Sequence, residues 1–192
     1  AAEIHGVPMD QVTPEMRRSA KAVNFGIVYG IGAFSLSKDI GVSRAEADAY
    51  IKEYLKNYAG VDAYMKQVVE QAKEKGYVET MFGRRRYMPE LKSGNFNLRS
   101  FGERVARNMP IQGAAADIIK IAMIRVSDRL AREGLQGRLI LQVHDELIVE
   151  CPPEEREQVE RILQEEMEGA VSLSVPMVAE AGSGRTWFEA KE

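Results

Sequence analysis

Residues 138–150 read RLILQV, then HD, then ELIVE, and no other stretch of this chain narrows the fold so far. Parallel strands need a crossover of a dozen or more residues, whereas only His144 and Asp145 separate these two apolar runs. The pattern therefore predicts an antiparallel hairpin with a tight polar turn. Because the runs are almost continuously apolar, both strands are expected to be buried. A third strand is expected at 173–180, confined to a sheet edge by Pro176. Between them, 153–169 reads as a solvated helix rich in glutamate.

Upstream, helix signals dominate. Thr13-Pro14-Glu15 supplies a hydroxyl cap, a proline where its missing N–H costs nothing, and an acid at the positive dipole end, opening a helix over 14–29. A short helix is expected over 34–40, before Gly41. Ser43 to Glu46 reads as a capping box opening a helix to about residue 57, and another helix over 61–75 is closed by Gly76. Residues 77–82 and 85–88 flank Gly83 as a short hairpin. A helix from about Leu98 is expected to end or kink at Pro110, and a second, well-buried helix to occupy 112–133, where Ala114, Ala115, Ile118, Ile119, Ala122, Met123 and Val126 recur at helical spacing. The predicted class is α+β, a helical part followed by a small antiparallel sheet packed on helices. No internal repeat or low-complexity segment is evident.

Net charge is −3, but the halves differ: residues 1–110 carry 17 Lys and Arg against 13 Asp and Glu, a balance of +4, and residues 111–192 carry 9 against 16, a balance of −7. A first half facing a polyanion is consistent with this split. The single cysteine, Cys151, allows no internal disulfide and no cysteine-based zinc site, so a reducing, cytoplasmic setting is the simplest expectation. No run approaches the roughly 18 apolar residues of a membrane span, and the first ten residues lack the pattern of a signal peptide. The expectation is a soluble, untargeted protein with no membrane partner.

Arg17, Lys21, Phe25 and Tyr29 follow one another at steps of four. On a helix each step drifts about 40°, so they form one slowly winding stripe, cationic at its start and aromatic at its end. Two cations one turn apart repel when empty and are relieved by an anion such as a triphosphate, and the aromatic pair can flank a sugar and base. The same spacing also fits two core aromatics beside a solvated face of Arg17, Arg18 and Lys21. His144-Asp145-Glu146 places adjacent carboxylates at a turn, where Mg²⁺ can keep its waters and meet phosphate oxygens; an ordinary polar turn is the alternative. Arg104, Asn108 and Gln112 repeat the four-residue spacing across Pro110. As donors they fit minor-groove acceptors shared by all base pairs, or simply one face of an amphipathic helix. Arg84, Arg85 and Arg86, with Lys92, Arg99 and Arg107 near in sequence, fit backbone phosphates.

Four segments resemble motifs of family A DNA polymerases, in the family's order and over nearly the whole chain. Residues 17–30, RRSAKAVNFGIVYG, resemble the fingers-helix motif, and 141–146, LQVHDE, the third palm motif. FGRRRY at 82–87 and NMPIQGAAAD at 108–117 resemble the bacterial members. The resemblance implies fingers helices over 1–76, a hairpin and duplex-contacting helix over 77–110, and part of a palm over 111–192. It implies DNA-directed DNA polymerase activity with two Mg²⁺ ions, on deoxynucleoside triphosphates and primer-template DNA, in replication and repair within the bacterial cytoplasm and nucleoid.

By the same resemblance Arg17 and Lys21 bind the triphosphate, and Lys21 donates a proton to the pyrophosphate leaving group. Phe25 packs on the sugar, and being Phe rather than Tyr implies discrimination against nucleotides lacking the 3′-hydroxyl. Tyr29 closes the base-pair pocket. Asp145 ligates metal with Glu146 beside it, and His144, Arg104, Asn108 and Gln112 hold the primer terminus and minor groove. His5 aligns with a position that is usually apolar, which implies a packing role. The family's other metal-bridging aspartate belongs to a motif upstream of Ala1. The chain is accordingly expected to be a fragment or one piece of a split enzyme, with the missing palm and thumb as its partner, and to be inactive alone. A noncatalytic module that holds nucleotide or duplex is the alternative.

Overall fold

The computed structural model describes residues 1–191, the side chains at 3 and 4 excepted. The chain divides into two compact units, Ala1–Ile111 and Gln112–Glu192.

In the first unit a four-residue helix, α1 (Ala2–His5), precedes α2 (Pro14–Val28). His5 is exposed, so the expected packing role is not what the fold gives it. The α2 cap forms as the residues dictate: Thr13 Oγ1 accepts from the Met16 N–H at 3.2 Å, with Pro14 in the first turn. Ala20, Val23 and Ile27, spaced by three and four, form its buried face. Gly30 ends the helix with φ +80°, a left-handed conformation that glycine adopts without strain. Helix α3 (Ala33–Ile40) stops at left-handed Gly41, and α4 (Arg44–Asn57) opens with both halves of the Ser43–Glu46 capping box. Val23, Ile27, Leu36 and Ala47 bury one another, with Ile31, Ile40, Ile51 and Leu55 packed around them. This cluster fixes α2 on α3 and α4.

Helix α5 (Ala59–Lys75) leads through Gly76 into β1 (Tyr77–Glu79), paired antiparallel with β2 (Arg85–Tyr87). Both strands are shorter than the sequence predicts. Thr80, 4% exposed, ends the ladder because its Oγ1 accepts from the N–H groups of Phe82 and Arg84. A second cluster joins Val69, Ala72, Val78, Met88, Leu91 and Ala106.

The largest departure is α6, a single helix over Phe96–Arg132 where the sequence predicts two elements divided at Pro110. It begins at Phe96 because Asn95 Oδ1 caps the N–H groups of Asn97 and Leu98. Pro110 removes one N–H and so leaves the Ala106 carbonyl without its usual partner, at a cost of about 3 kcal/mol. Burial on either side offsets this: Ala106 belongs to the cluster just described, while Val126 and Leu130 anchor the core of the second unit. At roughly 1.5–3 kcal/mol for each large buried side chain, packing outweighs the local defect.

In the second unit β3 (Arg138–Val143) and β4 (Glu146–Glu150) form the expected antiparallel hairpin. Leu147 and Val149 pack on Val126, Leu130, Val159 and Ile162, contributed by α6 and by α7 (Arg156–Glu168). The expected burial of both strands fails. Ile140, 56% exposed, stands at a register shift between Leu139 and Leu141, and Leu141 is 45% exposed. The helices cover only one face of this hairpin, leaving outward-facing apolar residues uncovered.

No strand forms at 173–180 either; at Ala179 the backbone groups bond to α7 side chains instead of a neighbouring strand. The Ala179 N–H donates to Glu168 Oε1 at 3.0 Å, and its carbonyl accepts from Gln164 Nε2 at 3.4 Å. Arg129 ties α6 to α7 through Glu165 and Glu166 at 2.6 and 3.1 Å and also pairs with Glu133 at 2.7 Å, hydrogen bonds that raise the guanidinium's pKa. Among the described residues, no helix is long and apolar enough to cross a membrane.

Candidate nucleotide and nucleic-acid interface

With Ala20, Val23 and Ile27 turned inward, the stripe of α2 faces outward. Arg17 and Lys21 are exposed, Phe25 is 49% exposed and Tyr29 is half-buried. Phe25 is therefore not a core aromatic. Its ring lies 5.9 Å from that of Tyr29, tilted by 42°, and Lys21 Nζ stands 5.9 Å from the Phe25 centroid. Among the described residues no carboxylate pairs with Arg17 or Lys21. The helix thus holds two uncompensated cations beside two aromatic rings, an arrangement that attracts a polyanion carrying a flat or cyclic group.

The end of this stripe meets α6. A Cβ at Gly30 would stand 2.6 Å from Arg107 Nη1, so a side chain there would displace that guanidinium, while Arg104 Cγ, at 3.6 Å, lies at ordinary contact distance. Arg107 leans on Glu103 at 3.9 Å, and Glu103 also pairs with Lys73 at 3.2 Å; among the described residues Arg104 has no such partner, and it is exposed. Sequence spacing gave no sign that the two four-residue series converge. Asn108 and Gln112 continue along α6: Gln112 is exposed, and Asn108 Oδ1 is buried without a hydrogen-bond partner.

On the β1–β2 hairpin the arginines differ. Arg85 is committed internally: Nε donates to Glu79 Oε2 at 2.5 Å and the guanidinium lies 4.6 Å over the Tyr77 ring, with its pKa raised chiefly by the Glu79 bond. Arg84 is exposed, and Arg86 is exposed with no carboxylate pairing with it among the described residues. Of the three arginines that the sequence offers for backbone phosphate, the fold commits Arg85 to an internal ion pair.

At the β3–β4 turn His144 has φ 52°, the only left-handed non-glycine among the described residues. Gln142 Nε2 donates to its carbonyl at 2.7 Å, fixing the turn. Asp145 is exposed. Glu146 is engaged at both oxygens: Oε2 accepts from Trp187 Nε1 at 3.2 Å, and Oε1 pairs with Lys191 Nζ at 2.8 Å. No local pattern reveals Trp187 and Lys191, more than 40 residues downstream. A cleft of about 680 Å³ in the same unit, bordered by Leu135, Arg138 and Cys151, holds none of these side chains, and burial pushes the Cys151 thiol up.

The family model for DNA polymerase family A matches residues 1–189. The chain belongs to this family. It is 54% identical to the DNA polymerase I of Bacillus caldotenax and of Bacillus subtilis over 191 residues, and 53% identical to that of Pseudomonas aeruginosa over 190. The match covers all of this chain and 22% of the two Bacillus enzymes, and 99% and 21% respectively for the third. The chain thus spans about a fifth of the length of these relatives. Among solved structures it resembles the POL domain of Pol1 from M. smegmatis in complex with DNA primer-template and dNTP, with a TM-score of 0.94, 43% identity, and coverage of 100% of this chain and 34% of the other.

Family A polymerases generally use Mg²⁺. The turn offers the right kind of donor, a hard carboxylate oxygen on an exposed residue. It does not offer a complete set: Glu146 is already engaged, and among the described residues no three His, Cys, Asp or Glu side chains group as a metal site. Asp145 fits one side of such a site; the described residues do not fit the whole.

Proposed function

We propose that this chain is the nucleotide-gripping, duplex-tracking part of a bacterial DNA-directed DNA polymerase acting in the cytoplasm, with helical fingers in the first unit and part of the palm in the second. The observation that carries this reading is the exposed stripe of α2, whose cations have no counter-charge among the described residues. A triphosphate supplies that charge. Arg17 and Lys21 take its oxygens, and Lys21 holds a proton at Nζ for the pyrophosphate as the primer 3′-hydroxyl attacks the α-phosphorus and the bond to pyrophosphate breaks. Phe25 packs against the sugar, and Tyr29 closes the pocket over the new base pair.

Arg104, Asn108, Gln112 and His144 follow the primer terminus and minor groove, where acceptors are common to all sequences, and Arg84 and Arg86 face backbone phosphate, with Arg85 reaching it only by leaving Glu79. Asp145 holds Mg²⁺, which when bound neutralises phosphate charge. Partners are deoxynucleoside triphosphates, primer-template DNA and the remaining palm and thumb of a family A enzyme.

The test places this chain in the matching segment of Bacillus subtilis DNA polymerase I. Lys21→Ala and Arg17→Ala are expected to weaken dNTP binding and slow extension, and Asp145→Asn to abolish extension while duplex binding persists. Full extension by Asp145→Asn would instead identify a module that only holds nucleotide and duplex.

A further inference from the structure

We propose that the C-terminal turn is a latch on Glu146. Trp187 and Lys191 are positioning residues that occupy both oxygens of this carboxylate, leaving Asp145 as the carboxylate of the turn free for a divalent cation. This inference rests on the polymerase reading of the β3–β4 turn.

Three sets of contacts build the latch. At Glu146, an indole N–H and an ammonium each take one oxygen, and Lys191 Nζ also lies 4.9 Å over the Trp187 ring, so the two residues hold each other. Within the terminal segment, Glu189 Oε2 accepts from the Arg185 N–H at 2.8 Å, and Thr186 Oγ1 accepts from the Glu189 N–H at 3.3 Å. The 3₁₀ turn over Glu189–Lys191 follows, with the Lys191 N–H donating to the Phe188 carbonyl at 3.2 Å. These bonds present Trp187 and Lys191 together. At the base, Gly182-Ser183-Gly184 lets the segment fold back. A Cβ at Gly184 would stand 2.6 Å from Glu189 Cβ and 2.8 Å from the Ala190 nitrogen, and one at Gly182 would collide with the Ala190 carbonyl oxygen. Ser183 also bonds Glu160 of α7, holding that carboxyl below the usual range.

The chemistry follows from charge. A carboxylate paired with an ammonium has little attraction left for a cation, and a metal ion must displace Lys191 to use it. Both side chains are near half-exposed, 54% for Lys191 and 41% for Glu146, so the pair adds little stability and can exchange. It therefore directs the carboxylate more than it strengthens the fold.

Variants of the polymerase carrying this chain test the latch. Trp187 is the chain's single tryptophan, and 5-fluorotryptophan labelling, assigned by Trp187→Phe, reads its environment in metal-free protein. Lys191→Met, Gly184→Ala and Glu146→Gln are each expected to shift its ¹⁹F resonance. In primer extension Lys191→Met is expected to lower kcat roughly three- to ten-fold with dNTP KM unchanged, and to lower the Mg²⁺ midpoint as freed Glu146 becomes available. In a Glu146→Gln background the Lys191→Met effect should vanish. An effect of equal size in that background, or an unmoved resonance in all three variants, overturns the latch. Asp145→Asn separates the two readings. If it abolishes extension while Lys191→Met and Glu146→Gln remain additive, the latch alone falls; if it leaves extension intact, the polymerase reading of the turn falls and the latch with it.

Discussion

The stripe of α2 and the turn between β3 and β4 bear opposite charges and keep them in opposite ways. On α2, Arg17 and Lys21 have no carboxylate partner among the described residues, and their spacing is set within the helix itself. At the turn, one carboxylate is free and its neighbour is held from more than 40 residues away. A binding surface for a mobile polyanion works with its charge unspent, whereas adjacent carboxylates repel each other and are stabilised when one is neutralised. The first region is a product of helical periodicity, the second of chain return.

The largest expected effect tests whether the turn is catalytic: Asp145→Asn in the embedded chain should reduce kcat by about 10³-fold or more with dNTP affinity little changed, measured by single-turnover primer extension. Retained kcat would remove chemistry from the turn and leave the comparison as one of charge alone. On α2 the expected pattern is reversed. Lys21→Ala should lower kcat/KM by about 10²-fold and also weaken dNTP binding measured without turnover, because it removes binding charge and a proton donor together.

Stability effects are smaller and sharpen the contrast between local and long-range construction. Arg129→Met breaks the bonds from α6 to Glu165 and Glu166 on α7 and should cost about 1 kcal/mol, because its partners reach solvent. Its pH signature lies with Glu133, whose folded pKa is depressed chiefly by Arg129 and then by Gln158. Stability from that group is present above its unfolded pKa of about 4.3 and is lost as pH falls through the lower folded value. Glu133→Gln should therefore flatten the acid limb of the stability curve below about pH 4.3 in urea titrations, and an unchanged limb would break the assignment. Thr13→Ala removes the α2 cap and should cost about 1 kcal/mol, visible as faster amide exchange in the first turn that carries Arg17.

Much of this was legible in residue order. The caps at Thr13 and Ser43, the glycine stops at 41 and 76, each step of the α2 stripe and the two-residue hairpin turn all act over four residues or fewer, the range in which side chains and backbone meet without help from the fold. Misreadings share the opposite character. Pro110 looked like a boundary, and burial on both sides carried α6 through it. Residues 173–180 looked like a strand, and the fold gives them no partner strand, with the Ala179 backbone bonded to α7 side chains instead.

The sequence by itself therefore determined the local elements, the spacing of Arg17, Lys21, Phe25 and Tyr29, and the family to which such motifs belong. Only the tertiary structure decided that Phe25 faces outward, that Arg104 and Arg107 lie against Gly30 at the end of the stripe, and that Trp187 and Lys191 close on Glu146. Those outcomes depend on which surfaces win burial when distant segments meet, a competition that no four-residue window contains.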